Sequence, residues 1–290
     1  MYKIDRKHLN ILGVSIISRP TQSVLRQVRQ NVAENRKFLI VTPNPEHIIY
    51  AQKDRKFAKI LNSADISIAD GVGLAAAAKF LSLPSSNLKL FRFPTLILQG
   101  LSVGLMLLLN RKSLDSDIEI IKGRELFLEI VQIANKKGWK VVLVGDKLKS
   151  AEKALTKISA NYKKIQLFAF TGPNLDDEAV CVTFEDQKIE QDVIEKINSI
   201  NPHFLFVGFR APVQEKWLNK WLPKLKVNGT MVLGGTFDYI SGKSKLPPKF
   251  IENTGLEWLW RLLTGSQKFK RIITASVIFP YQVFLQKLRG

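Results

Sequence analysis

Asp70 stands directly before a pair of closely spaced glycines, in the run Asp70-Gly71-Val72-Gly73. A carboxylate there is accessible, because bare glycine backbone lets a ligand come close. It could take a proton from a hydroxyl as a general base. It could equally cap the helix that follows, by accepting from that helix's free N–H groups. The spacing leaves both roles open. A second group of interest is Gly208-Phe209-Arg210-Ala211-Pro212-Val213-Gln214. Proline suits a first helical turn, and a helix start favours anions through its free N–H groups and dipole. Gln214 could add side-chain amide donors. Gly234-Gly235 offers another close backbone approach, and Thr42-Pro43-Asn44 adds polar side chains after an apolar run.

Several chemistries fall away. Gly71-Val72-Gly73-Leu74-Ala75-Ala76 has the G-x-G-x-x-A form of a dinucleotide site. That site expects an acid about 20 residues on for a ribose hydroxyl, and none occurs before Asp115. Asp70 would also repel a pyrophosphate placed there. No full G-x-x-x-x-G-K-[ST] loop occurs, so a P-loop ATPase is not expected. The one cysteine, Cys181, excludes a disulfide framework and a Cys-rich zinc site. The three histidines, His8, His47 and His203, are not spaced as metal pairs, so neither metal nor cofactor is expected.

These residues need elements to hold them. Apolar runs at 37–42, 65–70, 139–144, 165–170, 203–207 and 227–233 read as strands. Helical spacing lies between them at 46–62, 73–81, 124–136, 150–162, 192–200 and 212–221. Strands that are apolar throughout and alternate with helices imply a Rossmann-like α/β fold. Its sheet is mostly parallel, with helices on both faces. Ligands bind such sheets beyond the carboxyl ends of the strands. Those ends carry Thr42, Asn44, Asp70, Gly73, Gly145-Asp146, Gly208 and Gly234-Gly235. Any one could be an ordinary turn residue; their coincidence favours a cleft.

Two segments break the alternation. From Phe93 to Leu109 there are 17 residues without charge, short of the roughly 20 that span a bilayer as a helix. No acid occurs from Gly71 to Leu114, while Lys79, Lys89, Arg92, Arg111 and Lys112 do. Such a segment suits an anionic membrane surface, a buried core or a subunit interface. The second segment is the C-terminus, acid-free after Glu257. There Arg261, Lys268, Lys270, Arg271, Lys287 and Arg289 interleave with Trp258, Trp260, Phe269, Tyr281 and Phe284. It reads as a basic amphipathic helical appendage that seeks a membrane surface or packs back on the domain. The expected division is a catalytic domain over 1–245, with an apolar insertion at about 84–117, and an appendage over 246–290.

Composition agrees with a folded, anion-seeking protein. The 290 residues are 46% hydrophobic and 24% charged, enough to bury a core. Lys plus Arg number 44 against 25 for Asp plus Glu, a net charge of +19 that would attract nucleic acid, acidic lipid or phosphorylated substrate. No apolar secretory segment follows Met1, so a cytoplasmic location is the default.

Taken together, Thr42-Pro43-Asn44-Pro45-Glu46, Leu61-Asn62-Ser63-Ala64-Asp65, Asp70-Gly71-Val72-Gly73, Val207 to Trp217, Gly234 to Tyr239, Ser241-Gly242-Lys243 and Gly255 to Arg261 resemble the TagA/WecG/CpsF glycosyltransferases. The order and spacing hold from about Ile11 to Arg271, with one insertion. The resemblance implies transfer of an N-acetylmannosamine-type sugar from a UDP-sugar donor to a polyprenyl-diphosphate-linked acceptor. The product serves cell-surface polysaccharide or teichoic acid synthesis. It implies inversion, no metal, and peripheral attachment to the inner face of a bacterial plasma membrane. It puts Asp70 as general base, Thr42 and Asn44 near the acceptor or donor sugar, and Gln214, Gly208, Gly234 and Gly235 around the substrates. Arg261, Lys268 and Arg271 become cations of an appendage that closes over the site.

The chain departs from the family pattern at Ile120 and Leu246, where arginines are common, and the insertion is longer than expected. The sugar identity is left open by these departures. The competing reading is a non-catalytic anion or nucleic-acid binder driven by the +19 charge. No known nucleic-acid module supports it, and the apolar insertion has no place in it.

Overall fold

Each long strand of the central sheet sends alternate residues to opposite faces, and helices cover both. In the computed structural model of the protein, the described residues are 7–85, 88–109, 114, 118–244, 247–248, 251, 260, 263–264 and 269–289. The sheet has six strands, all parallel: β3 (Phe38–Val41), β4 (Ile66–Ser67), β5 (Lys140–Gly145), β6 (Gln166–Thr171), β7 (Phe204–Gly208) and β8 (Gly229–Val232). Their spatial order is β4-β3-β8-β7-β5-β6. Strands from both ends of the sequence therefore meet at the centre, where β8 lies between β3 and β7.

Leu39, Val41, Val142, Val144, Leu205 and Val207 join one core. Their neighbours Phe38, Ile40, Val141, Leu143, Phe204 and Phe206 join the other. The first core is covered by α2 (Pro45–Ala51), α3 (Arg55–Ser63), α4 (Val72–Ser82), α8 (Phe184–Ile200) and α9 (Val213–Trp221). The second is covered by α1 (Thr21–Ala33), α6 (Gly123–Lys137), α7 (Ser150–Asn161) and, through Phe237, α10 (Thr236–Ser241). This is the α/β architecture expected from the strand runs, since a sheet buried on both sides needs apolar residues at every position.

The differences from the sequence reading are local. The stretch 46–62 is not one helix: Asp54 breaks it, accepting from Phe57 N–H at 2.9 Å to cap α3. The helix expected at 192–200 begins earlier, because Thr183 and Asp186 form a reciprocal capping box. The strand expected over 65–70 pairs only through Ile66–Ser67, so Asp70 sits on a loop. A hairpin of β1 (Lys7–Ile11) and β2 (Val14–Ser18) precedes the sheet. Its turn, Leu12-Gly13, has φ of 50° and 78°, the two positive angles of a tight type I′ connection.

The apolar insertion forms α5 (Lys89–Leu109), a 21-residue helix. At 1.5 Å per residue it is about 30 Å long, long and apolar enough to cross a bilayer by length and composition. One side of it packs on α4 and the C-terminal helix. Leu96 and Val103 are buried, while Leu90, Leu98, Leu101 and Leu109 are 67–81% exposed.

The described part of the tail comprises α11 (Phe269–Ile273), a π-helical segment (Thr274–Ile278) and α12 (Phe279–Arg289). It packs back on α4 and α5. Phe284 stacks on Phe80 with centroids 6.2 Å apart and meets the edge of Phe93. The buried Lys287 ammonium donates to the Phe80 carbonyl and, at 2.7 Å, to Gln99 Oε1. Burial pushes Lys287 down to about 8. Phe269, Val277 and Tyr281 remain exposed, so this tail both covers the domain and presents an apolar outer side.

Candidate active site

The carboxyl ends of the strands open into a cleft of about 1880 Å³. One wall is the sheet edge; the other comes from α4, α5 and the tail. Thr42, Asn44, Asp70, Gly208, Gln214, Gly234, Gly235 and Arg271 all line it, although they come from segments far apart in the chain. Arg261 and Lys268, the other two expected cations, lie outside the described residues.

Asp70 is held from both sides. Its N–H donates to the Pro43 carbonyl at 2.9 Å, and the preceding Ala69 carbonyl accepts from Ile121 N–H at 3.0 Å. The loop after β4 is thus stitched to the end of β3 and to the approach to α6. The cap position of α4 falls on Gly71 rather than Asp70. Gly71 has φ of 102°, a conformation that side chains resist. Asp70 is half-buried on the cleft wall. Gly73 is needed for packing, since a Cβ there would lie 2.8 Å from Pro45 Cγ.

The other expected residues have structural partners of their own. Asn44 caps α2, its side-chain oxygen accepting from His47 N–H at 3.0 Å. Thr42 is buried against Gly123 at the start of α6, where a Cβ would come within 3.2 Å of its Oγ1. Gly208 makes room for Phe237, whose ring would lie 2.3 Å from a Cβ at that position. Gly234 has φ of 54°.

Gln214 lines the cleft but its amide is already engaged. Its Oε1 accepts from Gly234 N–H at 2.9 Å and its Nε2 donates to Glu215 Oε1 at 3.0 Å. The expectation of free amide donors from Gln214 therefore changes: the side chain bridges the β7–α9 loop to the turn after β8. The start of α9 is likewise less open than expected, because Gln214 N–H donates to the Arg210 carbonyl at 3.1 Å. Glu215 beneath it is fully buried, and burial pushes its carboxyl up to about 7.

The cleft also holds residues the sequence reading passed over. Lys122 and Arg124 line it at the start of α6. Arg124 also lies over the Tyr239 ring, 5.8 Å from its centroid. The available signal was the segment Ile121-Lys122-Gly123-Arg124, two cations around a glycine at a helix start. His47 is a cleft residue as well. Burial, with the Arg271 charge beside it, pushes its imidazole down to about 4, so it is neutral near pH 7. Its Nδ1 is buried without a hydrogen-bond partner among the described residues. Nothing in the spacing of a lone histidine pointed to this.

Asp146 sits at the cleft's edge as a turn residue, accepting from Leu148 N–H and Ser150 Oγ. Among the described residues no three His, Cys, Asp or Glu side chains converge as a metal cluster. The chemistry available is thus an acid on the strand-edge loop, facing a cleft that carries Lys122, Arg124, Arg210 and Arg271 together with Glu46, Glu119, Glu125, Asp146 and Asp238. That pairs a base with cations able to hold an anionic leaving group.

A family model described as the glycosyl transferase WecG/TagA/CpsF family matches residues 9–98 and 96–290. The chain is 26% identical over 236 residues to the N-acetylglucosaminyldiphosphoundecaprenol N-acetyl-beta-D-mannosaminyltransferase of Bacillus subtilis (strain 168), covering 81% of this chain and 75% of that protein. It is 24% identical over 241 residues to the protein of the same name from Bacillus spizizenii, covering 83% and 77%. The Staphylococcus aureus (strain NCTC 8325 / PS 47) protein of that name is 24% identical over 278 residues, covering 95% and 91%. The chain belongs to the WecG/TagA/CpsF family of glycosyl transferases.

Proposed function

We propose that this family member transfers an N-acetylmannosamine-type sugar from UDP to a polyprenyl-diphosphate-linked N-acetylglucosamine, with inversion and with Asp70 as the base. The supporting observation is Asp70 on the wall of the cleft at the carboxyl edge of the sheet, opposite an apolar wall and near cationic side chains. The relatives' names carry the same acceptor and product class.

The reaction follows from that arrangement. Asp70 takes the proton of the acceptor's hydroxyl as its oxygen attacks the anomeric carbon. The bond from that carbon to the UDP oxygen breaks on the opposite face, which inverts the centre. The departing diphosphate gains negative charge. Lys122, Arg124 and Arg271 carry the countercharge. No step is routed through a metal. Gly234 and Gly235 give the donor a close backbone approach, and Gln214 fixes that turn from behind.

The acceptor is lipid-borne, so the enzyme works at an anionic inner-leaflet surface. The outer side of α5 and the exposed Phe269, Val277 and Tyr281 of the tail supply apolar contact. The absence of acids from Gly71 to Leu114 removes charge repulsion from that side.

The test is UDP release without added metal, from a panel of UDP-sugars and a polyprenyl-diphosphate-N-acetylglucosamine analogue. Acceptor-dependent release with UDP-N-acetylmannosamine is the expected result. Release that ignores the acceptor, or none with any sugar, sinks the reading.

A further inference from the structure

The cleft has two chemically different halves. Around Asp70 it is polar and charged, with Lys122, Arg124, Arg210 and Arg271 set among carboxylates. Away from the sheet, its wall is built by Phe80 of α4, Gly100, Val103 and Gly104 of α5, and Phe279 and Val283 of α12. No ionisable side chain is among those six. Gly100 and Gly104 are one helical turn apart. A Cβ at Gly104 would meet nothing within 4 Å, and one at Gly100 would reach only Phe80, at 3.9 Å. Both glycines are open to solvent although they line the cleft. The missing side chains therefore leave a trough along α5 on its cleft side. Leu98 and Leu101 of the same helix are exposed and do not line the cleft.

We infer that this trough between α4, α5 and α12 receives the first isoprenoid units of the acceptor lipid, with its diphosphate end toward the polar half of the cleft. The inference rests on the acceptor proposed above and names the part of that acceptor which α5 recognises. An isoprenyl diphosphate has an anionic head and an apolar, methyl-branched chain, which is the order of chemistry along the cleft. The lipid would leave the bilayer beside α5 and reach Asp70 without exposing its chain to water, which is the favourable direction for apolar surface.

The full-length protein is titrated with fluorescent geranylgeranyl diphosphate in buffer without membrane, sugar or donor, and anisotropy is read. Isopentenyl diphosphate and inorganic diphosphate serve as competitors. The wild type is expected to bind the long-chain probe at least about tenfold more tightly than either competitor. Gly104→Leu fills the trough and is expected to weaken the probe about tenfold while leaving UDP affinity and the melting temperature unchanged. Gly100→Leu is the second variant and is expected to act in the same direction. Wild-type-like probe binding in both variants overturns the inference, as do short and long diphosphates that compete equally. Equal loss of UDP and probe binding also overturns it, since the trough then has no separate role. Failure of the transferase reading is seen elsewhere, as absent UDP release by the wild type, and leaves the binding comparison intact.

Discussion

Arg271 on α11 donates through Nε to the Glu46 carboxylate in the first turn of α2, a contact between residues 225 positions apart. It fastens the tail to the sheet side of the cleft and sets Arg271 beside His47. The same guanidinium is the described tail cation proposed to meet the donor diphosphate. Glu46 and the diphosphate therefore compete for it.

Glu46→Gln is expected to free that guanidinium. A partly exposed ion pair contributes about 0.2–1 kcal/mol. Donor affinity should improve about two- to fivefold, and amide exchange in Phe269–Ile273 should quicken by a similar factor. Arg271→Ala should instead lower donor kcat/KM by about tenfold or more. Isothermal titration with UDP and exchange mass spectrometry read both.

Asp70→Asn keeps the size of the side chain and removes the base. Transfer should fall by about 10²- to 10⁴-fold, with UDP binding and melting temperature retained. Retention of full activity would remove Asp70 from the chemistry.

Glu215 gives a pH signature in stability. Its folded carboxyl titrates near 7 against 4.5 when unfolded, so the folded state binds the extra proton between those values. Stability from this group is present below about pH 4.5 and is lost as pH rises through 7. Glu215→Gln should therefore be more stable than wild type at pH 8, by on the order of 2 kcal/mol, and equal to it near pH 4.5. Urea unfolding of both proteins at the two pH values tests the sign.

Gly208 is explained by packing as well as by ligand approach. Gly208→Ala drives a Cβ into the Phe237 ring and should cost about 1–3 kcal/mol. Adding Phe237→Leu should recover part of that loss, because the two residues touch and their effects should not add. Denaturant midpoints of the single and double variants measure the coupling.

The outer side of α5 can be altered without touching the cleft. Leu98→Glu with Leu101→Glu should leave the melting temperature within a few degrees, as both side chains are about two-thirds exposed. Sedimentation with vesicles containing phosphatidylglycerol should fall by about tenfold.

Much of the fold was legible because its signals are local. A run such as Val141-Val142-Leu143-Val144 has no polar position to face water, so it demands a sheet covered twice. Glycine and aspartate after such runs marked the strand ends that line the cleft. The capping boundaries were harder to place: Asp54 splitting one helix and Thr183 starting another depend on single side chains reaching back to the backbone. Gln214 illustrates the limit for function. Its place in the motif was visible, yet its partners, Gly234 and Glu215, are set by β8 folding in beside β7.

The amino-acid order alone determined the type of each strand, its two buried faces and the presence of Asp70 before glycines, because those properties belong to neighbours along the chain. The tertiary structure decided which strands adjoin, that Arg271 meets Glu46, and that α5 turns Gly100 and Gly104 to the cleft while Leu98 and Leu101 stay exposed. Those choices depend on which distant surfaces bury the most apolar area together, a sum over the whole molecule that no single segment contains.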